Sequence, residues 1–159
     1  MIFELIISLI VFLGLFVGLF ISRNTREELV PGIIYFTNAR KFLFSFIIGF
    51  VMYDYGHLWL GLTFFVLLSV VSYFSKQDFS KWMYLLLSLA AFMAISLNLL
   101  VVPILIFLYG FFEAAMFLSN QKKEKLFCTD SLNLFKKKFL FLLILIVLIL
   151  AKYFYFYFY

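Results

Sequence analysis

Long apolar runs separated by short polar segments dominate the chain. The first run, residues 2–21, is interrupted only by Glu4 and has about the 20 residues that a helix needs to cross a hydrocarbon core of roughly 30 Å. The apolar stretch from 42 to 74 is too long for one crossing and contains the polar turn YDYGH at 53–57. It therefore predicts a helical hairpin with arms 41–54 and 58–75.

The remaining runs follow the same logic. The stretch 82–118 has a polar break at 96–98 and predicts a second hairpin with arms 82–97 and 99–118. The last run predicts a span over 139–158. We therefore expect an all-α integral membrane protein, a bundle of about six transmembrane helices made of one single span, two helical hairpins and one C-terminal span. Residues 1–159 form a single transmembrane domain with no soluble domain in this prediction.

Composition agrees with a membrane protein. Apolar residues make up 67% of the chain, charged residues 13%, and mean hydropathy is +1.14, whereas roughly a quarter of the residues in a soluble domain are charged. The net charge of +5 is therefore not interpreted as a nucleic-acid surface, and the lipid bilayer is the expected environment. The single cysteine excludes an internal disulfide.

The basic residues predict an orientation. If six spans alternate, twelve of the thirteen Lys and Arg residues fall in the segments 22–41, 75–81 and 119–138, which lie on one side. Cytoplasmic loops hold the Lys and Arg excess, so these segments are predicted to be cytoplasmic and both termini outside, in a prokaryotic cytoplasmic membrane. Lys152 is the exception, and its long stem is expected to carry the ammonium to the outer headgroups.

The segment 22–41, SRNTREELVPGIIYFTNARK, is predicted to be the first cytoplasmic loop. Thr25 and Glu28 have the spacing of a capping box, which predicts a short helix that Pro31 and Gly32 then end. The residues after Gly32 are predicted to form an elbow in the headgroup plane.

Glu113 is the one acidic residue predicted well inside a span, and it is the leading candidate for a functional or structural polar residue. It lies about two turns, roughly 10 Å, from the cytoplasmic end. The structural interpretation has it bonding to Lys41, Lys81 or Asn120, in which case Glu113→Gln is expected to be tolerated. The functional interpretation makes it a carboxylate that couples proton or cation movement.

Two further candidates are weaker. Asp54 and His57 form a candidate polar pair on an outer tip, where an acid could orient an imidazole, although turns favour such residues for backbone reasons alone. The candidate helix-packing residues are small and lie at four-residue spacing, which lets another helix approach closely: Gly14 with Gly18, and Gly110 with Ala114.

Motifs for catalysis, cofactor binding or metal binding are missing from the sequence. One His and one Cys supply neither a multi-His metal site nor a Cys-His pair, so no cofactor is expected. The sequence favours a non-catalytic structural or accessory component of a membrane complex, with a homo-oligomer or a larger membrane protein as partner and no nucleic acid. The alternatives are a small oligomeric transporter or channel-like protein that uses Glu113, and a membrane enzyme acting on lipid.

Overall fold

The chain folds as a helical bundle. A computed structural model describes residues 2–54, 58–74, 80–96, 100–120 and 127–158. Within these ranges there are six helices, and each overlaps one predicted span: α1 Ile2–Asn24, α2 Arg26–Asp54, α3 Leu58–Phe74, α4 Ser80–Ser96, α5 Val101–Ser119 and α6 Phe127–Phe158.

Four of these helices are long and apolar enough to cross a membrane. Their membrane-compatible stretches are Phe3–Asn24, Pro31–Asp54, Val101–Ser119 and Lys138–Tyr155. Helices α3 and α4 contain shorter apolar stretches, Leu58–Val71 and Met83–Ile95. The fold is thus a helical membrane bundle with four candidate spans of full length.

The predicted elbow between the first two spans is wrong. Helix α2 begins at Arg26 and runs through Pro31 and Gly32 to Asp54 without ending. Proline lacks the amide that would donate to the carbonyl four residues earlier, so the cost near this end of the helix is the loss of one hydrogen bond. The continuous helix buries Leu29 and Arg40 on the same side of α2, and this packing outweighs the local signal of Pro-Gly.

The predicted capping box at Thr25 does not form. The hydroxyl of Thr25 donates to the carbonyl oxygen of Ile21, at 3.2 Å, and so it serves the end of α1. The backbone amide of Glu28 donates to the backbone carbonyl of Thr25, at 3.1 Å. Residues 22–41 are therefore almost entirely helical, with the change of direction confined to Thr25.

The predicted loop 119–138 is also largely helical where the structure describes it. Helix α6 begins at Phe127, twelve residues before the predicted span at 139. Asp130, Leu134 and Lys138 are buried at four-residue spacing, and this spacing places all three on one face of a helix. The charged residues of this segment are typical of a loop and so concealed the start of α6, although Asp130 and Lys138 belong to a buried face.

Contacts between helices define their directions. Gly14 lies against Phe107, and Gly18 lies against Phe111, so α1 and α5 run parallel. Arg40 pairs with Glu113 while Thr37 contacts Met116, so α2 runs antiparallel to α5.

Two more helices can be oriented in the same way. Gly49 lies against Phe65, and Tyr53 lies against Gly61, so α3 runs antiparallel to α2. Glu4 pairs with Lys152, which places the start of α1 beside the end of α6. The ends of α1, α3 and α5 and the starts of α2 and α6 therefore lie at one end of the bundle, here called the basic end because it carries Arg23, Arg26 and Lys136.

Both the interior and the exterior of the bundle are largely apolar. The buried core is formed mainly by α1, α2, α4, α5 and α6. Exposed positions on α1 and α3 are large hydrophobic residues such as Phe3, Leu13, Phe20, Leu62 and Val70. In a soluble protein such an exterior would be unstable, whereas in a bilayer it is the surface that faces lipid.

Candidate functional site

Glu113 lies inside the bundle and is bound by two cations. Its Oε2 accepts a hydrogen bond from Arg40 Nη1 at 2.7 Å, and its Oε1 accepts one from Lys138 Nζ at 2.6 Å. All three residues are at most 8% exposed. We call Arg40, Glu113 and Lys138 the ion cluster. It joins three helices, because the residues come from α2, α5 and α6.

Each member reaches the cluster because it lies on the buried face of its helix. Glu113 follows Tyr109 and Gly110 on the buried side of α5. Lys138 follows Leu134 on α6. Arg40 is on the same side of α2 as the buried Phe44. The three helices pack on one another through apolar residues, and that packing brings the three charges together.

Tyr84 on α4 lies against the cluster. The ammonium of Lys138 is 3.9 Å from the centroid of the Tyr84 ring, a distance at which a cation is attracted to the aromatic face. The ring also makes edge contacts with Tyr109 and Phe141. The Tyr84 hydroxyl is buried beside Glu113. Through the face of the Tyr84 ring, α4 becomes the fourth helix in contact with the ion cluster.

The arrangement has a clear electrostatic consequence. Burying ions is costly, and removing one partner of a buried pair leaves an uncompensated charge that is strongly destabilising. Each oxygen of Glu113 already holds one cationic partner. A carboxylate occupied in this way is suited to holding helices together, and a further cation would have to compete with Arg40 and Lys138 for the same oxygens.

A second ion pair lies near the opposite end of the bundle. Lys152 Nζ is 3.0 Å from Glu4 Oε1. The Lys152 side chain is 27% exposed and the Glu4 side chain 12%. This pair explains how the exceptional Lys152 is accommodated, since a carboxylate from α1 neutralises it within the bundle.

Apolar residues separate the two ionic sites. Lys138 and Lys152 are fourteen residues apart on α6, which is about 21 Å along a helix. The residues of α6 that are buried between them are all apolar: Phe141, Leu142, Leu145 and Ile149. Along this face of α6, therefore, no polar side chain connects the two ends of the bundle.

The candidate packing residues on α1 lie at its contact with α5. A Cβ atom added to Gly14 would overlap the carbonyl oxygen of Phe107, and a Cβ added to Gly18 would lie 2.6 Å from Phe111 Cα. Side-chain atoms essentially never come this close to backbone atoms. Glycine at these two positions is therefore what allows the observed approach of the helices.

The candidate packing residues on α5 lie at the same contact. A Cβ added to Gly110 would be 3.0 Å from the backbone nitrogen of Leu15, and the Cβ of Ala114 would be 3.1 Å from a Cβ on Gly18. The two small-residue pairs singled out in the sequence thus face each other across one parallel helix contact.

A second close contact joins α2 and α3. A Cβ on Gly61 would lie 2.8 Å from the carbonyl oxygen of Gly49 and 2.9 Å from the nitrogen of Tyr53. No four-residue repeat of small residues marked Gly61 in the sequence, so the spacing rule missed this contact. The signal that was available is a pair of single glycines on the two arms of one hairpin.

Of the candidate polar pair Asp54 and His57, the structure describes only Asp54. Asp54 is the last residue of α2 and is exposed. His57 lies outside the described residues.

Three buried serines, one each on α1, α2 and α4, bond within their own helices. Ser8 donates to the carbonyl of Glu4, Ser45 to that of Lys41, and Ser88 to that of Leu85, at 2.7 to 3.1 Å. Among the described residues, no group of three or more His, Cys, Asp or Glu residues is arranged to hold a metal ion.

The sequence pointed to Glu113, with Lys41, Lys81 or Asn120 as its expected partner. In the structure Arg40 and Lys138 bond to its two oxygens, and the side chain of Lys81 lies outside the described residues. The positions of Arg40 and Lys138 in the sequence were the available signal. Each comes immediately before a predicted span, Arg40 before the span that begins at 41 and Lys138 before the span that begins at 139. No protein-family model, curated protein or solved structure matches this chain.

Proposed function

We propose that this protein is a non-catalytic structural or accessory component of a membrane complex, with Glu113 in a structural role. The observation that carries the proposal is that both carboxylate oxygens of Glu113 are bonded to buried cationic side chains. A coupling carboxylate must gain and lose its proton or cation as its surroundings change. Arg40 and Lys138, which are fixed beside Glu113, oppose both the gain and the loss of a proton or a further cation at this carboxylate.

The apolar interior supports the same proposal. A pathway for ions needs polar or hydrated groups through the full thickness of the bilayer. The buried face of α6 between Lys138 and Lys152 is apolar over about 21 Å, and Ser8, Ser45 and Ser88 direct their hydroxyl groups to their own backbones.

We further propose how the helices cross the membrane and which end of the bundle faces the cytoplasm. All six helices cross, with the shorter helices α3 and α4 accommodated by local thinning of the bilayer. The basic end faces the cytoplasm, and both chain termini face outward, in a prokaryotic cytoplasmic membrane. The support is the collection of basic residues at one end of the bundle, which follows from the directions of the helices and agrees with the usual excess of Lys and Arg in cytoplasmic segments.

Purification from mild detergent tests the proposed role. The tagged chain should copurify with a stoichiometric membrane protein partner or with further copies of itself, and the complex should persist after crosslinking and size-exclusion chromatography. A solitary monomer, extracted under conditions that preserve other complexes from the same membrane, would contradict the proposal.

A flux assay tests the transporter alternative. Purified protein in vesicles should show no pH-dependent proton or cation flux above empty vesicles. A wild-type flux that is lost in a folded Glu113→Gln variant would replace the structural proposal with a transport function.

A further inference from the structure

We draw no further inference here: the strongest candidate, the buried carboxylate of Asp130 in the first turn of α6, has an oxygen without a hydrogen-bond partner among the described residues, but nothing in the structure shows which charged or polar group would lie against it.

Discussion

Lys138 and Glu113 form a buried ion pair of 2.6 Å between α6 and α5. Arg40 occupies the other oxygen of the same carboxylate at 2.7 Å. One anion therefore holds two cations, and the three positions are not equivalent. Arg40 and Lys138 share Glu113 as their anionic partner, so the loss of Glu113 affects both.

Glu113→Gln should destabilise the protein strongly. An amide can accept a hydrogen bond, but it cannot neutralise Arg40 and Lys138, which would remain close together and buried. We expect a loss of about 3 to 5 kcal/mol in the free energy of unfolding, the range for breaking a buried ion pair. This reverses the sequence-based expectation that Gln would be tolerated. Thermal melts of the purified proteins in one detergent measure the effect, with Glu4→Gln as the matched control, and equal melting temperatures for wild type and Glu113→Gln would contradict the structural role.

Loss of one cation should cost less than loss of the carboxylate. Arg40→Gln or Lys138→Gln leaves a neutral pair of one cation and Glu113. The double variant Glu113→Gln with Lys138→Gln should also be less destabilised than the sum of the two single variants, because residues in one ionic network couple by about 0.5 to 3 kcal/mol. A double-mutant cycle on the free energies of unfolding, obtained from thermal melts, measures the coupling. Strict additivity would show that the two residues do not interact.

Gly14→Ala and Gly18→Ala should destabilise the α1–α5 contact. A single added methyl group would collide with backbone atoms of α5 that cannot rotate away, and overpacking of this kind costs about 1 to 3 kcal/mol. The matched control is Gly32→Ala, because the atoms that its new Cβ would meet belong to the Phe36 ring, starting at 2.9 Å. That ring can turn aside, and alanine favours a helix by about 1 kcal/mol over glycine.

Gly61 extends the glycine test to α2 and α3. No small-residue pair marks Gly61 in the sequence, but a Cβ at this position would collide with the backbone of Gly49 and Tyr53. We therefore expect Gly61→Ala to lower the melting temperature as Gly14→Ala does. Equal stability of the Gly32 and Gly61 variants would show that the α2–α3 contact is looser than the structure indicates.

The pair Glu4–Lys152 should contribute less than the ion cluster. Partial exposure of Lys152 lets its ammonium reach solvent or headgroups when Glu4 is removed, so Glu4→Gln should cost no more than about 1 kcal/mol. The exchanged variant Glu4→Lys with Lys152→Glu should recover stability relative to Glu4→Lys alone, since that single change opposes two cations. Melts of the three variants give the comparison, and absence of any recovery would mean that the pair is not formed in the bilayer.

Cysteine accessibility should reveal the orientation. In a Cys128→Ser background, single cysteines at Asn24, Ser80 and Asn120 should resist an impermeant thiol reagent in intact cells, because all three lie at ends proposed to be cytoplasmic. A cysteine at Leu100, which is exposed at the start of α5, should react. Labelling of Ser80 alone among the first three would mean that neither α3 nor α4 crosses, and labelling of Asn24 and Asn120 would mean that the whole bundle is inverted.

The local pattern of apolar residues was enough to predict the membrane class, the helical content and the approximate position of every helix within the described residues. These properties depend on local composition and length: about 20 apolar residues cover a hydrocarbon core wherever they occur in a chain. The same reasoning singled out Glu113, since an acid within an apolar run is unusual whatever surrounds it.

The helix ends and the partners of the charged residues depend instead on how the helices pack together. Pro31 and Gly32 read locally as a helix stop, yet the helix continues because packing of its buried face outweighs one lost hydrogen bond. Arg40 and Lys138 are 73 and 25 residues from Glu113 along the chain. Their meeting depends on how three helices rotate and pack against one another, which no local pattern of hydrophobic residues specifies.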